Sequence, residues 1–132
     1  MSYVVLVALL LQASVGVKML IDWWRTSRPT PQAFLHAGVA DAAAILWIVY
    51  MVADKTWIAW ASFVVILFGN FFGDLLLIDH WRGRTGQRRS FFKDYGAAAM
   101  SVVRGQHPKV PTVHAAGAGI VSALVLVGAI VT

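Results

Sequence analysis

Four apolar stretches, at about 2–24, 32–53, 56–79 and 112–132, leave this chain little choice of fold. Each is close to the ~20 residues a helix needs to cross ~30 Å of hydrocarbon. In lipid the backbone must satisfy its own hydrogen bonds, which favours helices for such runs. Hydrophobic residues make up 59% of the 132 and charged residues 13%, too apolar a balance for a soluble domain of this size to stay dispersed. The expected fold is therefore a single all-α transmembrane domain over 1–132, four spans in an up-down bundle.

The first stretch lacks a basic leading segment and ends in Asp22-Trp23-Trp24-Arg25 rather than in small residues, so it reads as a retained span rather than a cleaved signal. Aromatics are expected at the two interfaces, Trp23, Trp24 and Trp81 on one side and Tyr3, Tyr50, Trp57 and Trp60 toward the other.

Basic residues set the expected orientation. Arg25 and Arg28 lie between spans one and two, and Arg82, Arg84, Arg88, Arg89, Lys93, Arg104 and Lys109 between spans three and four, whereas Lys55 alone occupies the remaining loop. The positive-inside rule puts the first and third loops in the cytoplasm and both termini outside. This arrangement is compatible with a bacterial inner membrane. The net charge of +5 points to anionic lipid headgroups rather than nucleic acid, because the basic residues flank apolar spans. The absence of cysteine excludes disulfides, thiolate metal sites and thiol nucleophiles.

Thr30 and Pro31 read as N-cap and first position of span two. In the third loop Phe91, Phe92, Tyr95, Ala98, Ala99, Val102 and Val103 recur at helical spacing, with Ser90 as a cap and Gly105 as a stop. They predict an amphipathic helix at about 91–104 on the cytoplasmic face, serving as an anchor or as a lid over a site beneath it.

The polar residues within the spans are the functional candidates. A charged side chain at depth costs ~2.5–3.5 kcal/mol on insertion scales and persists where it has a partner, a cavity or a task. Asp41 is expected within ~2–3 Å of the centre of span two, and Asn70 and Asp74 ~4 and ~10 Å to the cytoplasmic side in span three, at the helical rise per residue. Lys18 and Asp22, four apart, can form a local ion pair. Gly69 and Gly73 form a Gly-x-x-x-Gly groove beside Asn70 and Asp74, where a neighbouring helix can bring its own polar group against Asp74. Asp41 and Asp74 are expected to converge as the titratable or ligating groups, tuned by Asn70, Lys18 and Asp22. His36 and His114, with Asp79 and His80, are expected to line the cytoplasmic mouth.

Three chemistries fit these residues. One is movement of a proton, ion or small charged solute, carried by the aspartates and relayed by His36 and His114, in a homo-oligomer because four helices enclose little volume. A second is a membrane enzyme or redox subunit acting on a lipid or quinone at the cytoplasmic interface. It would hold a haem between His36 and His114, or a divalent metal at these two together with Asp74, without any paired-histidine motif to support it. A third uses Arg82, Arg84, Arg88 and Arg89 to hold headgroup or phosphate oxygens, although Gly83–Arg89 lacks the closing Gly-Lys-Ser/Thr of a P-loop. The polar residues also suit an accessory subunit pairing with another membrane protein.

Overall fold

The computed structural model describes residues 1–131, and among them the chain is all-helical. Helix α1 spans Ser2–Thr26, α2 Pro31–Ala53, α3 Thr56–Thr85, α4 Phe91–Val103 and α5 Lys109–Ile130. By length and composition α1, α2, α3 and α5 are each apolar enough to cross a membrane. The expected fourth span runs on to Thr132, which lies outside the described residues.

Helix ends follow local chemistry. Thr30 is extended and precedes Pro31 at the first position of α2, where a missing N–H costs nothing. Asp54 closes α2 in the left-handed region (φ 51°), a conformation that Asp tolerates, and the chain turns at once into α3. Two boundaries differ from expectation. Helix α3 continues six residues past position 79, through His80–Thr85, with Trp81 packed against α4 on its inner face; it stops at Gly86 (φ 68°). Helix α5 begins at Lys109 because Pro111 falls within its first turn, where proline is tolerated.

Packing joins α1 to α2, α2 to α3, α3 to α5 and α5 back to α1, so α1 faces α3, and α2 faces α5, across the diagonals of a square. The termini and the Asp54-Lys55 turn share one end. The segments 27–30 and 86–108 share the other, the basic end. Toward the far end the interior is apolar: Val5, Leu9, Trp47, Val121 and Val125 pack with Ala43, Ala59 and Ala129. Trp47 lies against Gly128 where no side chain intervenes, and its indole N–H donates to the Ser2 carbonyl at 3.0 Å. Ser62 satisfies its hydroxyl on the Ala43 carbonyl at 2.8 Å.

The outside of the bundle is apolar as well, with Leu11, Ile45, Val52, Phe68, Val113 and Ile120 exposed. Of the aromatics expected at interfaces, Tyr3, Trp24, Trp57 and Trp60 are exposed, but Tyr50 and Trp81 are buried. Tyr50 packs edge-on to Trp47 at 5.0 Å, and Trp81 lies beneath α4 with Ile78 and Ala98.

Helix α4 forms where expected, and its apolar residues divide between two faces. Asp94, Ala98 and Ser101 turn inward onto α3, while Phe92 and Val103 are more than 80% exposed.

Candidate functional site

The interior changes character toward the basic end. The rings of His36 on α2 and His114 on α5 meet across the diagonal, edge to face, with centroids 5.9 Å apart. Small residues make this possible. A methyl group at Gly73 would lie 3.0 Å from His36 Cε1, and one at Gly16 would lie 3.2 Å from His114 Cε1. The Gly69–Gly73 groove thus admits α2, and the polar group brought there is His36, which interacts electrostatically with the half-buried Asp74.

Hydrogen bonds assign opposite tautomers to the two rings. The Gly69 carbonyl can only accept, so His36 donates to it from Nδ1 at 2.8 Å. The Gln12 amide donates to the His114 carbonyl at 2.7 Å and faces His114 Nδ1 at 3.2 Å, which makes that nitrogen an acceptor. In the neutral state the remaining Nε2 of His36 is therefore an acceptor and that of His114 a donor. Two helix turns beyond His114, Ser122 Oγ accepts from Asn70 at 2.7 Å and donates to the Ala118 carbonyl at 2.8 Å.

Asp74, His36, His114 and Asn70 thus belong to the basic-end half of the interior. Asp41 does not join them. It lies on the exposed, outer face of α2, where it has no ion-pair or hydrogen-bond partner among the described residues. Lys18 and Asp22 make the expected local pair at 2.5 Å, but on the exposed face of α1 and away from Asp74. Asp79 is exposed, with Arg82 at 3.9 Å, and His80 lies against His107 with ring centroids 5.3 Å apart. Among the described residues no three His or Asp side chains gather as a metal-ligand set, so His36, Asp74 and His114 do not form one.

A second polar centre fastens α4 to α3. The buried Asp94 accepts from Arg82 Nε at 2.7 Å and from the Arg89 backbone N–H at 3.1 Å. Burial alone raises its carboxyl, but the Arg82 hydrogen bond, the Arg89 amide and the two guanidinium charges outweigh that and hold it below the usual carboxylate value. Arg89 also lies over the Trp81 ring at 5.2 Å. Arg84 donates to the Gln106 carbonyl. Three of the four arginines expected at headgroups are thus engaged within the chain, and Arg88 remains exposed. Next to this centre Ser101 gives its proton to the Ala98 carbonyl and accepts from His107 Nε2 at 2.7 Å. Burial, then the charges of Arg84 and His80, hold the His107 imidazole below its ordinary value.

Sequence reading passed over Gln12, Asp94 and His107, and took Ser122 only as part of a small packing face beneath His114. Gln12 carried a signal, as the one amide side chain within the first span. Comparison with known proteins adds no relative: no family model, curated protein or solved structure matches the chain.

Proposed function

We propose that the chain is an integral membrane protein, its basic end in the cytoplasm, that exchanges a proton or small ion between the cytoplasm and the bundle centre through Asp74, His36 and His114. The observation that carries this reading is the His36–His114 pair, whose free nitrogens are one acceptor and one donor. Asp74 interacts electrostatically with His36, and the His114 ring stands next in line. The far-end core of Val5, Trp47 and Val125 blocks the opposite route, so the polar groups communicate with the basic end. Helix α4 rests on that end with Phe92 and Val103 directed at lipid, and Arg88, Lys93 and Arg104 at anionic headgroups.

The test is proton flux in liposomes reconstituted with the full chain under an imposed gradient. Asp74→Asn and His36→Gln are each expected to lower the flux by about 100-fold or more. Flux no greater than in protein-free vesicles overturns the proposal. The second reading is a metal or haem held by the same two rings; for a metal, no third ligand gathers beside them among the described residues. Metal analysis and a visible spectrum of purified protein separate the two readings.

A further inference from the structure

The side of the bundle formed by α1 and α2 carries charge where lipid should lie. An open groove of about 400 Å³ runs between these helices, lined by Leu20, Ile21, Trp24, Arg25 and Phe34. Helical periodicity extends this face away from the basic end. Lys18 precedes Ile21 by three residues and Arg25 by seven, so it shares their stripe on α1; Asp41 follows Phe34 by seven and shares its stripe on α2. Lys18 and Asp22 are 61% and 52% exposed, and Asp41 is exposed and unpartnered among the described residues.

Depth matches as well. Lys18 lies eight residues short of the end of α1 at Thr26, and Asp41 ten residues beyond the start of α2 at Pro31, so they stand about 12 and 15 Å from the basic end at 1.5 Å per residue. Two copies inserted in the same orientation are related by an axis along the membrane normal. That axis moves a residue sideways but preserves its depth. A cation and an anion at one depth on one face therefore meet twice across a two-fold interface, Lys18 of each copy against Asp41 of the other.

We propose that the α1–α2 face is a homodimer interface in which the Lys18–Asp22 pair of each copy receives Asp41 of the second copy. The contact removes an unpaired carboxylate from hydrocarbon and fills the groove beside Trp24 and Phe34. It does not depend on the proton-exchange reading, because none of its residues touches His36 or His114.

The chain has no cysteine, which allows site-directed cross-linking of the full-length protein in lipid bilayers. Ser14→Cys and Ile45→Cys combined in one chain, on exposed positions four residues from Lys18 and Asp41, are expected to give dimers linked by a disulfide from position 14 of one copy to position 45 of the other. Phe68→Cys on α3 and Ile120→Cys on α5, equally exposed, are expected to give none. Asp41→Lys and Lys18→Asp should each weaken the dimer at least about tenfold, and the double variant should restore it. Native mass spectrometry of the unaltered chain in nanodiscs should show two copies. A monomer there, cross-linking without preference for α1 and α2, linkage only to a different protein, or charge reversals without effect on the dimer would each overturn the proposal.

Discussion

His36 and His114 face each other across the bundle diagonal with their protons on opposite ring nitrogens, and the Gln12 amide is what holds His114 in its form. Replacing Gln12 by Leu removes the donor to Nδ1 and to the His114 carbonyl. Side-chain nitrogen NMR should then show His114 as a tautomer mixture while His36 stays protonated at Nδ1. Proton flux should fall roughly tenfold or more, as when an orienting partner is lost from a reactive imidazole. A His114 spectrum unchanged by Gln12→Leu would remove the tautomer assignment.

Gly73 makes room for the His36 ring. An alanine methyl there meets Cε1 at 3.0 Å and Nδ1 at 3.3 Å, so the ring must swing and its bond to the Gly69 carbonyl must lengthen. Gly73→Ala should destabilise the detergent-solubilised protein by about 1–3 kcal/mol. Gly38→Ala is the control, since its methyl enters open space. There the helix propensity of alanine should leave stability equal or raised by up to about 1 kcal/mol. Thermal unfolding of both variants decides it: equal behaviour means that the ring has other room.

These relationships were legible to different degrees in the sequence. The four long helices follow from apolar run length, and the diagonal placement of α2 and α5 from the up-down order of the four spans. Where α3 ends was not legible, because hydropathy marks where lipid contact ceases, whereas the helix continues through His80–Thr85 to Gly86. The facing of Asp41 was hidden for a related reason. Helix α2 is apolar around most of its circumference, so no stripe announces which side turns inward, and a mid-span carboxylate was expected inside. Asp94 was unremarkable as one charge in an amphipathic segment. Only the docking of α4 on Trp81 and Ile78 buries it.

Asn70 and Ser122 tie α3 to α5 through one hydrogen bond of 2.7 Å. Within a membrane such bonds average about 0.6 kcal/mol and reach about 1.7. Ser122→Ala leaves the Asn70 amide without its acceptor, and Asn70→Leu leaves Ser122 bonded to the Ala118 carbonyl. A double-mutant cycle read by unfolding should therefore give a coupling of roughly 0.5–2 kcal/mol, with Ser122→Ala the costlier single change. Additive losses would mean that the two side chains act independently.

The docking of α4 should respond to pH in two steps. His107 sits below its ordinary value of 6.5, so the undocked segment takes up a proton more readily than the docked one. Its contribution is full above 6.5 and is lost as pH falls through the lower folded value. Asp94 sits below 3.8 for a different reason, the hold of Arg82 and Arg89 on its ionised form. Its contribution is full above 3.8 and is lost only as pH falls further, through its own folded value. Hydrogen exchange across residues 90–108 should therefore quicken first below 6.5 and again below 3.8. His107→Gln keeps a donor for Ser101 without titrating, and should abolish the first step alone. Asp94→Asn should abolish the second and quicken exchange already at neutral pH, since Arg82 loses its anionic partner. Exchange in α4 that is insensitive to both variants would mean that packing of Ala98 on Ile78 and Trp81 holds the helix without help from the charges.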